Sequence, residues 1–155
     1  MLNTHPRTVL ALLIASFTVG PTLAQIADDA QSSVTITKHL IAEDRGSEGF
    51  LRGDFVQSGS SLRITGEFRS TPLPVGTRVS FCLTTATRAI PLAVANVRFR
   101  GGVVRPERFA EFERNTVNRQ SVPVVHKNDK LRVRFGSNGA KPMCTAPLLV
   151  TATFQ

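Results

Sequence analysis

The chain has 155 residues, with 19 Lys and Arg against 11 Asp and Glu, a formal net charge of +8, and neither Trp nor Tyr. That length holds one ordinary domain able to bury a real core. The missing indole and phenol rings argue against a single-strand nucleic-acid binder or a sugar-stacking module, whose platforms would have to come from Phe alone.

Residues 1–24 read as a cleaved export signal. Arg7 precedes the apolar run TVLALLIASFTV, Gly20-Pro21 breaks it, and Thr22 and Ala24 are small at the positions a signal peptidase inspects. The run has 12 residues, where a bilayer-spanning helix needs about 20, so removal rather than anchoring is expected and no transmembrane segment should remain. Residues 25–33, QIADDAQSS, are small and polar and are expected to form a loose amino terminus ahead of one domain over 34–155. A periplasmic or secreted location follows, of bacterial style.

Strand signals begin at SVTITKHLI, where Val34, Ile36 and, after Lys38, Leu40 mark one face. GFLRGDFVQ and SLRITGEFR flank Gly59 and read as a hairpin; in the second arm Leu62, Ile64 and Phe68 face one way and Arg63, Thr65, Glu67 and Arg69 the other. STPLPVGT breaks the chain before RVSFCLTT, in which Val79, Phe81 and Leu83 alternate with Ser80 and Cys82. IPLAVANVRFR predicts one further strand, and Gly101-Gly102 a tight turn leading toward Pro106. PERFAEFER fits either a strand or a short helix over 106–114, with Pro106 at its first position and Phe109 and Phe112 on one side; the helical turn is the expectation. SVPVVH, the turn KNDK and LRVRF suggest another hairpin, GSNGAKP a loop, and APLLVTATF a last strand.

About eight short strands separated by Gly and Pro predict an all-β fold, an antiparallel β-sandwich of immunoglobulin-like or jelly-roll type, with a small closed barrel as the second choice. An outer-membrane barrel is rejected, because such barrels carry aromatic girdles and an uninterrupted apolar band. Cys82 and Cys144 are the only cysteines, and in an exported chain such a pair is expected to form a disulfide; the C-x-x-C spacing of a redox pair is missing.

Charge is unevenly spread. Residues 25–90 carry seven basic and seven acidic side chains, whereas residues 91–155 carry eleven and four. Arginine supplies 15 of the 19 positive charges, and its planar fork suits carboxylate and phosphate, although a GC-rich coding sequence would raise it without selection at any site. Arg98 and Arg100 share one strand face and Arg132 and Arg134 another, so if those strands were neighbours, four guanidiniums would gather into an anion-binding cluster. The competing reading is a solvated face whose arginines pair with Glu107, Glu111 and Glu113.

Other motifs are weaker. Arg52-Gly53-Asp54 spells an adhesion tripeptide, best taken as strand residues met by chance. His39 and His126 stand in no metal-ligand spacing, and G-x-S-x-G and the phosphate- and dinucleotide-binding glycine patterns are missing. No metal, cofactor or catalytic residue is therefore assigned. The expected role is an exported, non-enzymatic binding or envelope-associated protein contacting an anionic envelope polymer or an acidic protein surface, not nucleic acid. The alternatives are a subunit that assembles through strand edges, for which the alternating carboxyl end LLVTATFQ is a candidate, and an enzyme whose site forms only in space.

Overall fold

The computed structural model describes residues 36–70, 72–101 and 107–155. The expected signal peptide, the loose amino terminus, the Gly102 half of the glycine turn and Pro106 lie outside the described residues. Within them the chain is all-β, in eleven strands: β1 (Ile36–Gly46), β2 (Gly49–Ser58), β3 (Ser61–Ser70), β4 (Arg78–Thr84), β5 (Ala89–Asn96), β6 (Arg98–Arg100), β7 (Glu107–Asn115), β8 (Lys130–Phe135), β9 (Ser137–Asn138), β10 (Lys141–Pro142) and β11 (Leu148–Thr153). They form a five-stranded sheet ordered β1-β2-β3-β7-β6, a four-stranded sheet ordered β11-β8-β4-β5 and a small β9-β10 ribbon, every pair antiparallel.

Period-two alternation builds both main sheets. Leu51 and Phe55 of β2 and Ile64 and Phe68 of β3 turn inward from one sheet. Val79, Phe81 and Leu83 of β4 and Leu131 and Val133 of β8 turn inward from the other, and all of these join one apolar core. Each large side chain so buried is worth about 1.5–3 kcal/mol relative to water. The sandwich closes along one side, where Ala42 of β1 bridges Phe154 and the Gln155 amide donates to the Ile41 carbonyl (3.0 Å).

The two layers meet closely at a pair of glycines. Gly53 of β2 and Gly66 of β3 are cross-strand partners, both facing inward. Leu131 from the opposite sheet sits over them: a Cβ built on Gly53 would lie 2.5 Å from Leu131 Cδ2 and 3.3 Å from Phe154 Cζ, and one on Gly66 would run into the Phe112 ring. The Phe112 ring covers Gly66 from the neighbouring strand, its centroid 4.8 Å from that of Phe81. The β2-β3 hairpin turns on Gly59 at φ 55°, the first central position of a two-residue loop.

Three expectations need correction. The segment expected as a helical turn over 106–114 is strand β7 through its described residues, hydrogen-bonded to β3 on one side and β6 on the other. Its inward residues are Arg108, Ala110, Phe112 and Arg114, with Phe109 turned out, so neither face reads as plainly apolar. The single strand expected over 90–100 breaks at Val97, which is fully buried and whose amide donates to the Thr77 carbonyl (2.8 Å); β5 belongs to one sheet and β6 to the other. The hairpin expected between 121–126 and β8 does not form. Both edges of β8 are taken, by β4 and β11, and 121–126 runs as irregular chain that buries Val122 and Val125 and takes a Lys38 Nζ hydrogen bond at the Val125 carbonyl (2.7 Å).

Candidate functional site

Strand β6 turns Arg98 and Arg100 onto the outer face of the five-stranded sheet, opposite Phe109 and Glu107 of β7. There they meet carboxylates. Arg98 Nη2 lies 3.3 Å from Glu111 Oε1, and Arg100 Nη2 lies 3.7 Å from Glu67 Oε2 and 3.9 Å from Glu111 Oε2. Glu67 and Glu111 are direct cross-strand partners, a like-charge contact that would oppose pairing without the cations around it. The Arg100 guanidinium also stacks on Phe109, 4.2 Å from the ring centroid, which shields that outward aromatic.

Two further arginines of this face are paired in the same way. Arg52 pairs with Glu43 and Asp54 at 3.1 Å each, and Arg69 with Glu67 and Glu107. The hydrogen bond to Asp54 is the largest cause holding Arg52 above the ordinary guanidinium pKa, and that to Glu67 does the same for Arg69. Register places Arg45, Arg52, Arg63, Arg69, Arg98 and Arg100 outward against Glu43, Asp54, Glu67, Glu107, Glu111 and Glu113, so this face is charge-balanced. A depression of about 480 Å³ lies within it, lined by Arg52, Asp54, Thr65, Gly66, Glu67, Glu111, Phe112 and Glu113.

The adhesion tripeptide sits mid-strand on this face, with Gly53 buried and Arg52 Nε donating to Asp54 Oδ2, rather than on a protruding loop. His39 Nε2 lies 3.4 Å from Asp54 Oδ1 on the same open surface, and His126 Nδ1 lies 3.7 Å from Asp129 Oδ2 at a turn. Among the described residues no group of three or more His, Cys, Asp or Glu side chains could hold a metal ion.

Arg132 and Arg134 belong to the other sheet. Leu131 and Val133 face the core, so Lys130, Arg132 and Arg134 line the outer face of the four-stranded sheet, beside Thr84, Cys82 and Ser80 of β4. The four arginines singled out from the sequence thus form two pairs on the outer faces of different sheets rather than one cluster.

The surroundings of the second pair differ in kind. Residues 136–147 cross this outer face as a strap. The Cys82–Cys144 disulfide fastens it at one point, closing a sequence separation of 62, and Ser80 Oγ fastens it at two more, donating to the Gly136 carbonyl (2.6 Å) and accepting from the Met143 amide (2.9 Å). Arg134 Nη1 donates to the Ala146 carbonyl. The Nε atoms of Arg132 and Arg134 are buried without a hydrogen-bond partner, and neither guanidinium pairs with a described carboxylate. Neither 78–104 nor 130–155 contains an Asp or Glu, while both supply Lys or Arg. Arg78 on β4, its Nη1 3.5 Å from the Gly139 carbonyl, and Lys141 on β10 therefore extend the cationic face, and both are exposed. Sequence reasoning had passed over Arg78, Lys130 and Lys141; the acid-free stretches were the signal that could have found them.

The carboxyl-terminal strand lies in its own sheet: β11 pairs with β8 at the edge of the four-stranded sheet, and Phe154 is bridged to β1. Among the described residues no helix is long and apolar enough to cross a membrane. No protein-family model, curated protein or solved structure matches the chain.

Proposed function

We propose that the protein is an exported, non-enzymatic binding protein that holds anionic material against the outer face of its four-stranded sheet. The observation that carries this reading is the contrast between the two outer faces. On the five-stranded sheet arginines and carboxylates occur in equal number, and Arg52, Arg69, Arg98 and Arg100 interlock with them, which leaves little field for a ligand. On the other face Arg78, Lys130, Arg132, Arg134 and Lys141 stand in segments without a single carboxylate. A surface of one sign attracts counter-charge and speeds its arrival. Arginine presents a planar fork suited to phosphate or carboxylate oxygens, and two such forks lie two residues apart on one strand face. An acidic envelope polymer meets that description; a location outside the cytoplasm fits the disulfide and the leader-like amino terminus.

Heparin chromatography tests the assignment and the face together. The protein is expected to be retained at low salt and to elute as ionic strength rises. Lys130→Gln with Arg132→Gln should elute earlier, whereas Arg98→Gln with Arg100→Gln should elute close to the parent. Flow-through of the parent at low salt, or equal loss from both double variants, would overturn the reading.

A further inference from the structure

The strap is anchored on the outer face of the four-stranded sheet at Arg78, Ser80, Cys82 and Arg134. Beyond those anchors, toward the first residues of β8, register sets out a different group on the same exterior. Lys130 stands between Thr153 of β11 and Thr84 of β4, and Arg132 stands between Thr151 of β11 and Cys82. Leu131, between the two cations, faces the core, as do Ala152 and Leu83 beside it, so the five polar side chains share the outer face. Lys130 is exposed and the other four are half-buried. Among the described residues the hydroxyls of Thr84, Thr151 and Thr153 make no hydrogen bond and the Arg132 guanidinium meets no carboxylate; only its Nε is sealed from solvent. Two more exposed cations flank the group, Arg88 in the turn between β4 and β5 and Lys127 in the turn before β8. The acid nearest in sequence, Asp129, is 7% exposed and accepts the His126 amide (2.8 Å), and Gln155 leaves the row to reach the Ile41 carbonyl.

These are the donors that a tetrahedral oxyanion uses. Neighbouring strands lie about 4.8 Å apart and residues two apart on a strand about 6.8 Å, so the group occupies a patch of about 10 by 7 Å, the footprint of one ester group rather than of a length of polymer. Within it the Arg132 fork offers paired N–H donors, Lys130 a point charge, and the threonines hydroxyl donors on both sides of β8. A carboxylate has two oxygens and is satisfied by the fork alone. A phosphate or sulfate ester presents three, and takes the fork, the ammonium and a hydroxyl at once. From this juxtaposition of Lys130 and Arg132 with Thr84, Thr151 and Thr153, we propose that the open half of the face is a binding site for a phosphate or sulfate ester group. The inference rests on the anion-binding reading above, narrows it to one half of the face and names the class of anion. In the strapped half Arg134 already spends an N–H on the Ala146 carbonyl.

Dextrans that differ only in the group they carry separate the two claims. Fluorescently labelled dextran phosphate, dextran sulfate and carboxymethyl dextran, at equal substitution, are titrated with the protein as an exporting host releases it, and anisotropy is read. At pH 5 a phosphate monoester, a sulfate ester and a carboxymethyl group each carry about one negative charge, so charge is matched. Expected is binding to an ester dextran about tenfold tighter than to carboxymethyl dextran, the scale of one charge-assisted hydrogen bond. Thr151→Val with Thr153→Val should abolish that preference and leave carboxymethyl binding as it was. Valine keeps the β-branched shape, so the variant should hold the parent's urea midpoint; if it does not, Thr84→Val on the other flank repeats the comparison. Preference for phosphate alone, or for sulfate alone, supports the inference and identifies the ester. Equal binding to all three dextrans, or an ester preference that survives loss of the hydroxyls, would overturn it and leave the anion-binding reading standing. Binding to none of them would remove both readings together.

Discussion

Replacing Gly53 by alanine tests the contact on which the two layers close. The new methyl would stand 2.5 Å from Leu131 Cδ2 and 3.3 Å from Phe154 Cζ, inside a fully buried region where neither side chain has room to swing away. Overpacking of this kind costs about 1–3 kcal/mol, and the stiffer unfolded chain returns about 0.4–1 kcal/mol, leaving a net loss of about 1–2 kcal/mol. Leu131→Ala alone empties the same spot from the other side and should cost about 2–5 kcal/mol. Combined, each change makes room for or fills the space left by the other, so the double variant should be more stable than the two single losses imply by at least about 1 kcal/mol. Urea unfolding of the four oxidised proteins, followed by circular dichroism, gives the cycle. Losses that add to within about 0.5 kcal/mol, or a Gly53→Ala protein more stable than the parent, would show that Leu131 does not seat on the glycine pair.

Removing the disulfide with Cys82→Ala and Cys144→Ala should lower stability by up to about 4 kcal/mol and speed hydrogen exchange across 136–147; equal midpoints for parent and variant would refute the strap's dependence on it. Asp129 is 7% exposed and accepts the His126 amide at 2.8 Å, so Asp129→Ala should cost about 1–3 kcal/mol in urea unfolding while Asp129→Asn, which keeps an acceptor, costs less; equal costs would count against that bond. Arg52 and Arg69 titrate above the usual arginine value, and a raised folded-state pKa gives stability that is lost only as pH climbs through it. That window is strongly alkaline, so Arg52→Gln and Arg69→Gln should shift the urea midpoint equally at every pH from about 6 to 9; a pH-dependent difference would contradict the assignment.

Most strands were legible because their apolar residues keep step with the pleat. In β3 Ile64 and Phe68 point in while Arg63, Glu67 and Arg69 point out, and β4 and β8 repeat the pattern. Strand β7 hid because each of its faces carries one phenylalanine: Phe112 covers Gly66 inside, and Phe109 lies outside under the Arg98 and Arg100 guanidiniums. Its inward Arg108 and Arg114 spend their charge on the carbonyls of Leu73 and Ser121, which no local pattern announces. The arginine pairs show a different limit. Spacing of two tells that Arg98 and Arg100 share a face, as do Arg132 and Arg134, but it is silent on which sheet a strand joins, and that was decided at Val97 by its burial and its hydrogen bond to Thr77. The distribution of acids along the chain was readable from the start, but the acid-free stretch 78–104 holds both Arg78 of the cationic face and Arg98 and Arg100 of the interlocked one, so it took the sheet assignment to tell the faces apart.

Val97 also fixes how the molecule is oriented as a body. A single buried residue passes the backbone from β5 to β6, so the neutral exterior of one layer and the positive exterior of the other are strung on one run of chain, back to back. Among the described residues the two exteriors therefore differ in charge, and because a buried residue of the shared core joins them, that difference is built into the fold rather than into a mobile appendage.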